Sequence, residues 1–267
     1  MRDCLSSILQ SVDISYEIIV IDNDSRDGTP EFLRLQPIKS LFPGKNIGYG
    51  AAVNLGAKQA TGKYILVTNP DTIYTPKILK ELFDFAVFHP KAGLISPLLL
   101  HPDGRIQISA REFPRRRDLA LGRGTLIHKL GISNEKYAGY IQQLGDEPLQ
   151  VPTVPATAVL IPALLLSELK GFDERFFMYM EDIDLCRRVK ESGYQIWILP
   201  PVKVRHVWRR STSKRRYFAS WHHHCSVYKY FLKFYPHEYI KNSILFFMLV
   251  FGFILNSFAI TFMGKKG

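Results

Sequence analysis

Short apolar runs that each stop at a turn rich in Asp, Asn, Ser or Gly, and then lead into a stretch of helical spacing, constrain this chain more than any other feature. "EIIVI" at 17–21 ends in "DNDSRDGT", and "PEFLRL" follows with helical character. "NIGYGAAVNLGAKQATG" places small residues at helical spacing, and "KYILVT" at 63–68 is a buried strand closed by polar "NPDT". "TPKILKELFDFAVFHP" reads as a helix with Pro76 in its first turn, and "AGLISPLLL" as a strand. Strands that are apolar throughout need cover on both faces, so the alternation predicts an α/β fold with a mostly parallel sheet flanked by helices. In such sheets ligands gather at the carboxyl ends of strands, where "DNDS" and "NPDT" both fall.

Beyond residue 100 the pattern loosens. "LHPDGRIQ" predicts a hairpin with Asp103-Gly104 at its tip, and the basic stretch 110–150, with Arg115, Arg116 and Arg117 in a row, predicts a surface excursion. "TVPATAVLIP" and "QIWILP" are the later strands, flanking helical "ALLLSELKG" and the segment "RFFMYMEDIDLCRRVKESG". That segment sets Glu181, Asp182 and Asp184 directly after large apolar side chains. Two readings compete. The acids open a helix, where carboxylates relieve unpaired N–H groups, or one of them is a general base held against an apolar wall.

The other candidate positions are individually weak. Asp22 is the first polar residue after its strand and is placed to accept hydrogen bonds from a nucleobase or ribose, although Asp22, Asn23, Asp24 and Ser25 also suit an ordinary loop. Asn69 and Asp71 follow the second strand. A hard divalent cation, Mg²⁺ or Mn²⁺, can be held by a single carboxylate when substrate phosphate supplies further oxygens. "VRHVWRRST" carries His206, Arg209, Arg210 and Ser211, a set suited to a diphosphate or to completing a metal site. "WHHHC" at 221–225 suggests zinc, but consecutive histidines on a helix point apart.

A formal net charge of +11 predicts anionic partners, with nucleic acid, anionic lipid and phosphorylated small molecules all qualifying. Three scattered cysteines give neither a disulfide framework nor a zinc spacing, as expected in a reducing compartment. The segment 244–263, "ILFFMLVFGFILNSFAITFM", carries no formal charge and meets the roughly 20-residue membrane threshold. A spanning helix, an in-plane interfacial helix and a buried terminal helix all remain open, and membrane association is the expectation.

Taken in order, "IIVIDNDSRDGT", "NIGYGAAVNLGAKQATGKYILVTNPDT" and "GFDERFFMYMEDIDLCRRVKESGYQIWILPPVKVRH" resemble the family 2 glycosyltransferases of the Rossmann-like GT-A fold, in particular their rhamnosyltransferase-like branch. The resemblance spans about residues 17–211. It implies a GT-A domain over 1–212 and a helical, membrane-associated region over 213–267. It further implies inverting transfer from a nucleotide-sugar donor to a lipid-linked or polysaccharide acceptor, on the cytoplasmic face of the cell membrane, with a divalent cation (Mg²⁺ or Mn²⁺) as cofactor and no nucleic-acid partner.

By the same resemblance Asp22, Asn23, Asn46 and Asn69 contact the donor, Asp71 and His206 meet the metal or diphosphate, and Asp182 is the general base with Glu181 beside it. Three features depart from the family pattern: the strand that usually precedes "MRDCLSSILQ" is missing, Asn69 stands where many relatives have Asp, and "ATAVLIP" lacks the usual Gly-Ala and Arg. The competing expectations are a catalytically inactive membrane scaffold or truncated homologue, and a basic nucleic-acid-binding protein.

Overall fold

The computed structural model describes residues 1–107, 110–116, 144–207 and 216–263. Arg117, Arg209, Arg210, Ser211 and the expected boundary at 212 lie outside the described residues. The fold is built around β5 (Ala92–Leu100), whose first eight residues are all buried. Its apolar run is continuous because helices cover both faces. On one face Leu94 and Leu98 join Val159, Ile161, Ile196 and Ile198 under Leu165, Leu185 and Val189. On the other, Ile95 and Leu99 join Ala158, Leu160 and Val204 under Ile8, Leu79, Leu82 and Ala86.

The covering helices are α1 (Arg2–Leu9) and those expected from periodicity: α2 (Thr29–Arg34), α3 (Tyr49–Ala57), α4 (Ile78–Phe88), α5 (Ala163–Glu168) and α6 (Glu181–Glu191). The strands are β1 (Ile19–Ile21), β2 (Lys39–Leu41), β3 (Tyr64–Thr68), β4 (Thr72–Ile73), β6 (Leu149–Gln150), β7 (Ala158–Pro162) and β8 (Gln195–His206). The 101–107 hairpin forms as expected: His101 N–H donates to Arg105 O, and Gln107 N–H to Leu99 O.

The sheet is mixed, not mostly parallel. β1 and β2 pair in parallel as a separate two-stranded sheet. The six-stranded sheet runs β3-β7-β5-β8-β4 with β6 also on β8, and there only β5–β8 is parallel. Alternation of strand and helix identifies crossovers, but β4 follows β3 through a tight Asn69–Thr72 turn with no helix between them, so its direction carries no such signature, and most of the residues between β5 and β6 lie outside those described.

β8 is twice as long as the apolar run "QIWILP" implies. Its register on β5 jumps from Leu199 opposite Pro97 to Lys203 opposite Leu98. Pro200 and Pro201, which have no N–H to donate, occupy the bulge. Past it the strand resumes and pairs with β4, setting Thr72 opposite His206.

The remaining helices, α7 (Arg216–Phe234) and α8 (Tyr239–Met263), form an antiparallel hairpin. Val227, Tyr230, Phe231 and Leu245 bury against Phe176 and Met180, immediately before α6. Asp184 anchors the same junction. It is fully buried, accepts a 2.8 Å bond from Arg188 and pairs with Lys233, which also reaches Asp173 at 2.7 Å.

Candidate active site

The end of β1 makes the first wall. Asp22 is 6% exposed, its N–H donates to Leu41 O, and its carboxylate accepts weakly from Ser25 N–H at 3.4 Å. Asn23 uses both ends of its amide on the next loop: Oδ1 accepts from Ile47 N–H at 2.8 Å, and Nδ2 donates to Gly48 O at 3.0 Å. Asn46 Oδ1 accepts from Gly48 N–H at 3.0 Å. Both asparagines therefore shape the turn that opens α3. Gly48 is required there, since its φ is +89° and an added Cβ would lie 2.7 Å from Phe177 O.

The second wall is the turn from β3 to β4. Asn69 builds it with its backbone, donating to Thr157 O at 2.8 Å and accepting from the Thr72 hydroxyl at 2.8 Å. Pairing of β4 with the end of β8 sets Asp71 Oδ1 3.3 Å from His206 Nε2. Behind the ring, Gln107 Nε2 donates to His206 O at 3.0 Å and to Leu100 O at 3.3 Å, so Oε1 is the end 2.9 Å from His206 Nδ1. Nδ1 then carries a proton, and in the neutral ring this leaves a lone pair on Nε2 for a cation held between it and Asp71. A carboxylate oxygen and an imidazole nitrogen thus converge, an arrangement suited to a divalent cation that draws its other ligands from phosphate and water. No group of three or more His, Cys, Asp or Glu side chains forms a metal cluster among the described residues.

The third wall is the start of α6. Tyr179 and Met180 both adopt left-handed backbone, with φ of 68° and 69°, which is costly for bulky residues. This sharp entry turns Glu181 and Asp182 inward. Asp182 Oδ1 accepts from Ile183 N–H at 2.8 Å. Burial raises the Asp182 pKa, partly offset by backbone N–H groups and by Arg111. Glu181 is 8% exposed, and burial together with the Asp182 charge pushes its pKa up to about 8. Its Oε2 is buried without a hydrogen-bond partner among the described residues. Asp184, the third acid of the segment, points away into its ion pairs with Arg188 and Lys233.

Tyr49 joins the three walls. Its N–H donates to Phe177 O at 3.0 Å and its hydroxyl to Ala156 O at 2.5 Å. The phenol is held well above its ordinary pKa, first by burial and then by the charges of Glu181, Asp182 and Asp71. Asp71 and the adjacent pair Glu181 and Asp182, more than 100 positions apart, thus act electrostatically on one phenol. Asn23 and Asn46 meet it through the Gly48 turn.

Two contributors have no obvious sequence signal. Gln107 is an ordinary residue after a hairpin, and Tyr49 lies in a motif whose helical spacing suggests packing. The "WHHHC" imidazoles serve packing: His222 stacks on Phe177 at 4.5 Å, His223 meets Tyr179 edge-on at 5.5 Å, and His224 Nδ1 lies 2.7 Å from Ser220 O.

Comparison with known proteins bears on the fold and the family. The profile of "Glycosyl transferase family 2" matches residues 1–144. The chain is 31% identical over 241 residues, 84% of its length and 77% of the relative's, to an N-acetylglucosaminyl-diphospho-decaprenol L-rhamnosyltransferase of Mycobacterium tuberculosis. It is 25% identical over 219 residues to the rhamnosyltransferase WbbL of Escherichia coli, covering 77% of this chain and 79% of that one. Among solved structures, a mannosyltransferase from Pyrobaculum calidifontis in complex with GDP-Man and Mn²⁺ superposes with a TM-score of 0.57 at 17% identity, over 100% of this chain and 71% of that one. With the fold, the family profile and rhamnosyltransferase relatives matched over more than three quarters of their length in agreement, this chain belongs to glycosyl transferase family 2, as a glycosyltransferase of GT-A fold.

Proposed function

We propose that this glycosyltransferase moves a sugar, with inversion, from a nucleoside-diphosphate donor to a lipid-linked acceptor at a membrane surface, and that the sugar is rhamnose. The observation that carries the reading is the 3.3 Å approach of Asp71 to His206 at one wall, with a half-buried Asp182 at the start of α6, whose carboxyl pKa is raised by burial, at another. In this reading the acceptor O–H proton passes to Asp182 as its oxygen bonds to the anomeric carbon. The bond from that carbon to the diphosphate breaks, and its electron pair leaves with the diphosphate. Glu181, neutral at pH 7 by its raised pKa, adds no second negative charge beside the base. Asp22 lies at the nucleoside end, with Asn23 and Asn46 holding the loop that meets it.

Asp71 and His206 would hold a divalent cation, Mg²⁺ or Mn²⁺, which when bound offsets the charge that develops on the leaving diphosphate. The lipid-linked acceptor is supported by the mycobacterial relative, whose name specifies a diphospho-decaprenol substrate, and by α8. Tyr239–Phe258 is long and apolar enough to cross a membrane, with 11% of that window buried.

The test is calorimetric titration of the purified chain with dTDP and UDP, each with Mn²⁺ and with EDTA, followed by transfer assays with a polyprenyl diphosphate-linked sugar. Metal-dependent nucleotide binding and transfer that is lost in Asp182→Asn are expected. A folded protein that binds neither nucleotide would overturn the reading in favour of an inactive scaffold.

A further inference from the structure

We infer that α8 lies flat in the membrane surface and does not cross it, with one face seated along α7 and the opposite face sunk into an anionic leaflet. The inference rests on the membrane reading above and settles its geometry. Contacts between the two helices run in antiparallel order over their whole length. Tyr228 meets Phe246 at 5.4 Å, Trp221 meets Phe253 at 5.4 Å, Asn256 Nδ2 donates to Ser220 Oγ at 3.2 Å, and the Tyr217 and Thr261 hydroxyls lie 2.6 Å apart. Helix α7 is itself fixed to the catalytic domain. Ser226 Oγ donates to Met178 O at 2.9 Å, Lys229 Nζ to Arg175 O at 2.7 Å, and Lys233 pairs with Asp173 and Asp184.

A spanning orientation would strip these contacts or drag Arg216, Lys229 and Lys233 toward hydrocarbon with α8. Either route is strongly unfavourable. The flat orientation keeps them all.

The outer face of α8 has the composition such an orientation needs. Ile240, Ile244, Phe247, Phe251 and Ile254 recur at alternating spacings of four and three, and all are exposed, Ile240 by 79% and Phe247 by 70%. A second copy of the chain could cover a narrow stripe of this kind, but a coiled-coil seam carries charged residues on its flanks. Here the flanks are Met248, Val250 and Leu255, and no charged residue occurs from Ile244 to Met263. The rim instead supplies Tyr217, Trp221 and Tyr239, whose rings suit the headgroup layer, and exposed Lys241, suited to anionic lipid. Docked this way, α7 presents the Phe177–Met180 turn, and Glu181 and Asp182 beyond it, beside the leaflet that carries a lipid-linked acceptor.

The experiment uses the full chain with sealed vesicles of phosphatidylcholine, with and without phosphatidylglycerol. Flotation with the anionic vesicles is expected, and Phe247→Glu with Phe251→Glu should weaken it on the order of 100-fold while nucleotide binding stays unchanged. Tyr239→Cys and Thr261→Cys, each in a Cys225→Ser background, are then exposed to an impermeant maleimide outside the vesicles. Equal labelling of both without detergent is the expected result. Labelling of only one end until detergent is added would show a spanning helix and overturn the inference, leaving the membrane reading intact. A chain that binds nucleotide but ignores both vesicle types, or one that forms a dimer dispersed by Phe251→Glu, would overturn the membrane face itself.

Discussion

Gln107 Oε1 lies 2.9 Å from His206 Nδ1, and the orientation of the Gln107 amide is decided at its other end, where Nε2 donates to the carbonyls of His206 and Leu100. Two residues separated by 99 positions thus settle which nitrogen of His206 faces Asp71. A ring held in this tautomer keeps the Nε2 lone pair for a cation held between it and Asp71.

Gln107→Leu is therefore expected to weaken Mn²⁺-dependent nucleotide binding by about 10-fold to 100-fold, the usual cost of losing a partner behind a metal-ligating imidazole. Gln107→Glu keeps an acceptor for the Nδ1 proton and should retain more of the affinity. Titration of dTDP or UDP against Mn²⁺ concentration checks both variants. Equal loss in the two would show that Gln107 serves only the backbone of β8.

Asp182→Asn removes the proposed base while keeping the shape of the helix start. Transfer should fall by about 10²-fold to 10⁴-fold with nucleotide binding nearly unchanged. Asp182 must be ionised to accept a proton and its pKa is raised by burial, so kcat/KM of the native chain should decline as pH falls through that raised value. Near-normal turnover in the Asn variant would remove Asp182 from the role.

The parts of this site that were legible in the sequence are those set by local pattern. The apolar run of β5 announces a strand covered on two faces, and the acids after "FFMYM" announce both a helix start and a site. Asp71 and His206 were legible only as separate candidates, because their meeting depends on β8 resuming beyond Pro200-Pro201 and pairing antiparallel with a two-residue strand. No periodicity encodes that partner. The same limit hid Gln107 and Tyr49, whose value comes from neighbours 99 and 107 positions away, and it made the mixed sheet read as parallel. Local composition could not separate Asp182 from Asp184 either. What divides them is Lys233, on a helix that begins beyond the catalytic segment.

Asp184 offers the contrast that tests this division. It is fully buried between Arg188 and Lys233, so Asp184→Ala leaves two cations without their shared partner. Breaking a buried pair from one side costs about 3–5 kcal/mol, and urea unfolding should report a loss of this size. Asp182→Asn should lose far less. Comparable destabilisation by the two variants would contradict their separate assignments.

Glu181 supplies a pH signature of stability that the base does not. Its folded-state pKa is raised to about 8 by burial and by Asp182, above its ordinary value of 4.5. The unfolded chain therefore ionises first, and the stabilising contribution of the neutral, buried form is complete below pH 4.5 and is lost as pH rises through about 8. Glu181→Gln keeps the shape and cannot ionise, so it should match the native chain near pH 5 and exceed it above pH 8. The difference at high pH is expected to be on the order of 2–4 kcal/mol. Urea unfolding of both proteins at pH 5, 7 and 9 reads this directly. Parallel stability curves across that range would mean that Glu181 is ionised in the folded protein, and the buried Oε2 would then need a hydrogen-bond donor to hold its charge.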